Sequence, residues 1–309
     1  MYDTTKPYKK QIADLVEKTW KNPYISLEKD VYTILKKKPE VDHSDGIGTK
    51  GLYHWDKRTF KNAVLDSLAM NLNDLALMRA VPYKLQNHII IPKDDNEAII
   101  EIISALSDEC VKRNISITGG ETSIQNTLKG MDIGITVSGV VENSKPNHIV
   151  AGDALIGFKS SGLHSNGFSK VREIFGYGYR KEFTDPTTIY LEKILEIDRK
   201  YDIHGMMHMT GGSYTKLKDI ISEDIDLVIN NKHKLKPQKI FKDIFAEGLS
   251  DEEMYKTFNC GIGFIIATSP NDAKKIIAKY KQTDIIGRAK PGKGNIKVKS
   301  MFSKKTVIY

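Results

Sequence analysis

The chain has 309 residues, 40% of them hydrophobic, and a formal net charge of +8 carried mainly by lysine. That length and apolar content suit two ordinary domains with real cores and argue against wholesale disorder. No apolar run approaches the roughly 20 residues that span a bilayer, and MYDTTKPYKK has no apolar signal region. Cys110 and Cys260 lie far apart and match no metal-ligand spacing. The expectation is a cytoplasmic protein without a membrane partner. The lysines are scattered and not interleaved with aromatic rings, so the charge reads as a solvated surface rather than a nucleic-acid track.

Residues 1 to 40 carry a weak amphipathic helix (Ile12, Leu15, Val16, Trp20) and then a Pro-containing linker. The stretch VDHSDGIGTK, residues 41–50, holds the first chemical candidate. Asp42 and Asp45 would face opposite ways on a straight strand. Asp45 is therefore the candidate, with Gly46 and Gly48 allowing a turn and Lys50 following. A carboxylate beside glycines and a lysine suits Mg²⁺ with a polyphosphate; a solvated polar turn is the plain alternative. Residues 60–78 predict a helix with Phe60, Val64, Leu68, Leu72 and Leu75 on one face, interrupted by Asn73 and Asp74. A buried carboxylate there needs a partner or a metal; a solvent-facing one does not. A strand is expected over 88–91. Asp94 and Glu97 then read as a helix start, with Ile99, Ile102, Ile103 and Leu106 inward. The strand 115–118 ends in Gly119-Gly120-Glu121-Thr122, which reads as a ligand loop at a strand end or as a simple tight turn. Another strand is expected over 132–141.

The stretch 152–172, GDALIGFKSSGLHSNGFSKVR, predicts a buried strand, a small polar loop and a helix. A loop entering a helix in this way gathers free N–H groups that favour an anion. Ser165 reads as the N-cap, Gly162 and Gly167 permit close backbone approach, and His164 titrates near neutrality. An ordinary strand–turn–helix corner is the alternative. A helix over 187–201 follows, and 203–209 leads into Thr210-Gly211-Gly212-Ser213 and a helix to 221. Met206, Met207 and Met209 read as core filler. Strands are expected at 225–229 and 260–267, helices at 237–245, 252–258 and 272–280, and edge-like strands from 285 onward. A break near 145–152 divides two mixed domains, 1–148 and 149–309. Periodicity alone reaches a phosphate-binding protein of mixed α and β content.

Seven motifs in order carry the reading further: DGIGTK (45–50), MNLNDLALMRAVP (70–82), GGET (119–122), the 152–172 stretch, DPTTIYLEKILE (185–196), HMTGG (208–212) and MYKTFNCGIGF (254–264). In these the chain resembles the aminoimidazole ribonucleotide synthetase family, the phosphoribosylformylglycinamidine cyclo-ligases of purine biosynthesis. The resemblance implies an α+β, two-domain synthetase fold. Its N-terminal domain, which binds ATP, pairs into a dimeric β-barrel, and its C-terminal domain is α+β layered. It implies a homodimer, ATP and Mg²⁺ as cofactors, and formylglycinamidine ribonucleotide as the substrate, closed to aminoimidazole ribonucleotide with release of ADP and phosphate. Asp45, Asp74 and Glu121 match the family's metal ligands, and Lys50 and His164 its catalytic positions. Gly46, Gly48, Thr49, Asn73, Gly119, Gly120 and Thr122 match ATP or substrate contacts. So do Ser160, Ser161, Gly162, Ser165 and Asn166, with Thr210, Gly211 and Gly212 as a second cradle. Asn259 lies in a matching motif with no chemistry assigned to it. The chain departs from the family in a short lysine-rich segment before DGIGTK, in Ser123-Ile124-Gln125-Asn126 after GGET, and in Ser213 after TGG. A non-catalytic or repurposed ATP-binding relative is the alternative reading.

Overall fold

The computed structural model describes residues 9–28, 31–34, 38–176 and 178–309. It divides into two compact units, Met1–Ser144 and Lys145–Tyr309, so the division falls a few residues before position 148. Parts of the Pro-containing linker, residues 29–30 and 35–37, lie outside the described residues, as do residues 1–8.

The first unit runs α1 (Lys9–Glu17), β1 (Ile25–Glu28), β2 (Val31–Ile34), β3 (Glu40–Gly46), α2 (Gly51–Lys57), α3 (Phe60–Leu77), β4 (Ala80–Ile91), α4 (Asn96–Arg113), β5 (Ser116–Ile124) and β6 (Asp132–Val141). Its main sheet has the order β3-β6-β4-β5, with only β4 and β5 parallel. Helix α3 buries residues all round, including Asp66, Ser67, Asn71 and Asn73, because α4 and the sheet both pack on it. Strand β4 begins eight residues before the expected start at 88. Pro82 hides that start in the sequence: it lacks a ladder donor, and the register shifts between Pro82 and Lys84. Helix α4 is capped by Asp95, which accepts from the Ala98 amide, rather than by Asp94.

The second unit runs β7 (Ala154–Lys159), α5 (Phe168–Phe175), α6 (Leu191–Lys200), β8 (Ile203–His208), β9 (Ile225–Ile229), α7 (Lys239–Ala246), α8 (Asp251–Thr257), β10 (Ile262–Thr268), α9 (Pro270–Lys279), β11 (Thr283–Pro291), β12 (Ile296–Lys299) and β13 (Thr306–Ile308). Its sheet has the order β13-β12-β9-β11-β7-β10-β8. Strand β11 therefore lies inside the sheet, not at an edge as the tail residues suggest. It is held there by antiparallel ladders to both β7 and β9. Met206, Met207 and Met209 are buried, and so are both cysteines, which are free thiols. Among the described residues no helix is long and apolar enough to cross a membrane.

The order β7-β10-β8 places the functional loops. Strand β10 is antiparallel to both neighbours. The exits of β7 and β8 and the entry to β10 therefore lie at one end of the sheet. Three segments meet there: 160–167, 209–213 and 258–261.

Candidate active site

In the second unit these three segments are stitched by side chains. Asn259 is buried; its Nδ2 donates to the Gly162 carbonyl (2.8 Å) and its Oδ1 accepts from the Gly261 amide (2.9 Å). Its own carbonyl accepts from Tyr214 Oη (3.3 Å). This is the role the sequence does not reveal: Asn259 ties loop to loop. Ser213 Oγ donates to the Phe258 carbonyl (2.9 Å), and Asn166 Oδ1 accepts from the Gly211 amide (2.9 Å). Ser160, Ser161, Gly162, His164, Ser165, Asn166, Thr210, Gly211 and Gly212 thus gather in one place.

Several of them sit differently from the expectation. Helix α5 begins at Phe168, with Gly167 as its N-cap residue at φ 77°. Ser165 is not the cap; its hydroxyl meets Thr187 Oγ1 at 3.0 Å. Gly167 is required because a Cβ there would lie 2.3 Å from Phe258 Cε1. His164 is 1% exposed at φ 62°, and its Nε2 accepts from the Ser161 amide at 3.3 Å. His164, expected to handle a proton, stands with its Nε2 bonded inside the loop and its ring closed off from solvent. Tyr190, whose Oη donates to the Lys159 carbonyl (2.7 Å), covers the ring from one side. Gly263 completes the enclosure, since a Cβ there would sit 2.1 Å from Tyr190 Oη and 2.5 Å from His164 Cε1.

In the first unit, β3 ends at Gly46 and a short turn of 3₁₀ helix (Gly48–Lys50) leads into α2. Gly48 (φ 56°) and Thr49 are exposed, so this turn presents backbone to solvent. Asp45 Oδ1 accepts from the Gly46 amide (2.7 Å), and its carbonyl accepts from Asn71 Nδ2 (3.1 Å). Asn71 Oδ1 meets His43 Nδ1 (3.0 Å), and His43 Nε2 meets Asp74 Oδ2 (3.2 Å). The hydrogen bond to Asp74 raises the pKa of His43 against the opposing effect of burial, with a smaller contribution from Asp45. Asn73 is fully buried within α3.

Asp132 carries no signal of its own in the sequence, yet it belongs to this turn. Its carboxylate accepts from its neighbour, the Ile133 amide (2.9 Å), and lies near enough to the Gly48 and Ile47 amides for them to favour its charged form. A Cβ on Gly46 would lie 3.2 Å from its Oδ1. Burial raises its pKa, and the nearby Asp45 charge adds to that.

Lys50 does not face this turn. It is fully buried, with Nζ 2.9 Å from Asp66 Oδ1 and 2.7 Å from Oδ2. His54 Nε2 meets the same Oδ2 at 2.8 Å, and Thr59 Oγ1 meets His54 Nδ1 at 2.8 Å. Burial works to raise the Asp66 pKa, but the Lys50 charge and the His54 hydrogen bond outweigh it and hold the carboxyl well below the ordinary range. Burial lowers the His54 pKa, against the raising effect of its hydrogen bond to Asp66. Lys50, expected to be catalytic, stands as a buried counter-ion to Asp66 that fastens the end of DGIGTK to α3.

Gly119, Gly120, Glu121 and Thr122 form neither a loop nor a turn. They lie inside β5, paired in order with Gln86, Asn87, His88 and Ile89. The row Gly46–Gly134–His88–Glu121 runs across the sheet. Asp45 is one residue off that row, so its side chain points to the other face. Glu121 is also three strands away, about 14 Å at normal spacing. Within one chain the expected metal set of Asp45, Asp74 and Glu121 therefore does not assemble. Among the described residues no group of three or more His, Cys, Asp or Glu is placed to hold a metal ion.

An open, glycine-bearing turn edged by carboxylates in one unit, and two interlocked glycine loops in the other, mark the candidate sites of a two-unit α+β protein. The chain belongs to the AIR synthase related protein family. The N-terminal domain model of that family matches residues 29–141 and its C-terminal domain model residues 150–299. The chain is 34% identical over 301 residues to a phosphoribosylformylglycinamidine cyclo-ligase of Saccharolobus solfataricus, covering 93% of this chain and 90% of that protein. It is 33% identical over 265 residues to the protein of that name from Clostridium perfringens, covering 80% and 79%. Among solved structures, the hydrogenase maturation protein HypE in complex with ATP superposes with a TM-score of 0.73 over 99% of this chain and 95% of that one, at 14% identity. Thiamine-monophosphate kinase from Stenotrophomonas maltophilia superposes with a TM-score of 0.67 over 95% and 96%, at 16% identity. These two likenesses are of fold.

Proposed function

We propose that this protein is an ATP-dependent cyclo-ligase that closes formylglycinamidine ribonucleotide to aminoimidazole ribonucleotide in the cytoplasm. The observation that carries the reading is the match, at 33–34% identity over at least four-fifths of the chain, to proteins named for that activity. In the reaction, the formyl amide oxygen takes the γ-phosphoryl group of ATP and ADP leaves. The amidine-side nitrogen then attacks the activated carbon, and phosphate departs with the former amide oxygen. Little covalent chemistry is asked of the protein, which has to place and stabilise the reacting groups.

The supporting geometry is two anion-ready places. The exposed Gly48-Thr49 turn next to Asp45 suits a nucleotide phosphate chain. The interlocked 160–167 and 210–212 segments suit the substrate phosphate. Magnesium is commonly held by one or two carboxylates together with phosphates. Asp45 and Asp132, close enough for one charge to raise the other's pKa, fit that description better than the expected three-carboxylate set. Bound there, the ion would shield the transferring phosphoryl group.

The homodimer belongs to the same proposal. One face of the first unit's sheet shows exposed Asp42, Ser44, Gln86, His88, Glu121 and Thr136. Pairing of two such sheets into a barrel would cover that face and place Glu121 inside. The test of function is ADP release with and without formylglycinamidine ribonucleotide, together with detection of the aminoimidazole. Substrate-dependent ADP with that product supports the cyclo-ligase. Nucleotide binding without product supports the alternative of a repurposed relative.

A further inference from the structure

We infer that Lys216 anchors a phosphate group between the 160–167 loop and the 210–212 turn, and so selects a phosphorylated ligand at that place. The inference rests on the reading of this site given above and adds to it the charge that the glycine loops themselves lack.

Lys216 lies in the 3₁₀ helix Ser213–Ile220 that follows the turn. Its stem folds back over Gly212, where a Cβ would lie 3.3 Å from Lys216 Cγ. Its Nζ donates to Thr210 Oγ1 at 2.8 Å. An ammonium has three donors, and here a hydroxyl takes one. Among the described residues no carboxylate lies within ion-pair distance of it. Three other shielded lysines do have one: Lys50 has Asp66, Lys84 has Glu40, Lys145 has Asp198.

Two further donors stand beside it. Asn166 spends its Oδ1 on the Gly211 amide, while its Nδ2 is buried and has no acceptor among the described residues. Burying an amide donor without a partner is costly, so the group marks a place where an acceptor belongs. The Gly212 N–H likewise donates to nothing among the described residues. A charged donor, a buried neutral donor and a backbone amide, with no competing anion, match a group that offers several acceptor oxygens and net negative charge. A phosphate monoester does so.

The test uses the full chain and titration calorimetry at fixed ionic strength, with ribose 5-phosphate as the probe. Wild type is compared with Lys216→Ala, Lys216→Gln and Lys216→Arg. Loss of a charge-assisted contact predicts roughly 10- to 100-fold weaker binding for the Ala and Gln variants, and only a few-fold change for Arg. Unphosphorylated ribose should bind all four proteins alike. With formylglycinamidine ribonucleotide the loss should fall on KM far more than on kcat. Gln and Arg keep the stem over Gly212, so that pair carries the comparison if the Ala variant melts early. Ribose 5-phosphate binding to the Gln variant within twofold of wild type would overturn the inference, as would a wild type that does not bind the probe. A chain that binds the probe through Lys216 yet makes no aminoimidazole would keep this inference and sink the cyclo-ligase reading. Turnover with an unchanged KM in the Gln variant would do the reverse.

Discussion

Lys50 and Asp66 give the sharpest test of how the first unit works. Both side chains are fully buried and in direct contact, with His54 on the same carboxylate. Asp66→Asn would leave the Lys50 ammonium buried without its counter-charge, and Lys50→Met would leave the Asp66 carboxylate in the same state. Breaking a buried pair from either side costs about 3–5 kcal/mol. The double variant Lys50→Met with Asp66→Asn buries no net charge. The stem of Met is close to that of Lys, and the side-chain amide that Asp66→Asn introduces still offers a hydrogen-bonding group to His54. Replacing a buried pair by neutral groups is commonly close to neutral. Two independent losses would sum to about 6–10 kcal/mol, whereas the double variant should lie within about 2 kcal/mol of wild type. Urea denaturation followed by fluorescence measures all four corners of the cycle. ATP binding on the same proteins separates the two roles of Lys50. As a buried fastener of the loop, it is dispensable once the charge is balanced, and the double variant should bind ATP within a few-fold of wild type. A double variant that is stable but has lost ATP binding would refute this reasoning and return Lys50 to the phosphates.

Gly263→Ala forces a methyl group into Tyr190 and His164. Overpacking of about 1–3 kcal/mol, with loss of the Tyr190–Lys159 hydrogen bond, predicts a clear fall in melting temperature and in turnover; an unchanged melt would deny the enclosure. Asn259→Ala unlinks the 160–167 loop from β10 and should open that loop to hydrogen–deuterium exchange at Gly162 and Leu163, which a purely local role would leave protected. The histidines predict opposite pH behaviour. His54 has a folded pKa below its ordinary 6.5, so its share of stability is complete above that value and is lost as pH falls below it. His43 has a raised pKa, so its share is complete below 6.5 and is lost as pH rises through the folded value. Denaturation profiles of His54→Gln and His43→Gln should each lose the matching limb.

Much of this is legible in the sequence because local signals agree with tertiary packing. The apolar face of α3, the strand–loop–helix of 154–175 and the order of the motifs follow from residue spacing and identity. What does not show depends on partners far along the chain. Asp132 is unremarkable as the first residue of β6 until β3 brings the Gly46 turn against it. Lys50 reads as a ligand cation beside glycines; only the fold reveals Asp66 waiting behind it. Two adjacent glycines suggest a turn at 119–120, but the ladder to β4 outweighs that local freedom and keeps the segment extended. Ser250 with Glu253 forms a full capping box at the start of α8, a local signal that the sequence displays more strongly than it does at Asp94. Lys216 lies three residues beyond Ser213, and only the tight 3₁₀ turn folds its side chain back over Gly212.

The proposed reaction turns on activation of the formyl amide oxygen by ATP. The most direct measurement follows that atom. Formylglycinamidine ribonucleotide carrying heavy-isotope oxygen in its formyl group would be turned over with ordinary ATP and the phosphate analysed by mass spectrometry. The account predicts that the label appears in inorganic phosphate, one atom for each aminoimidazole formed. Label released to water, or ADP formed without labelled phosphate, would contradict it.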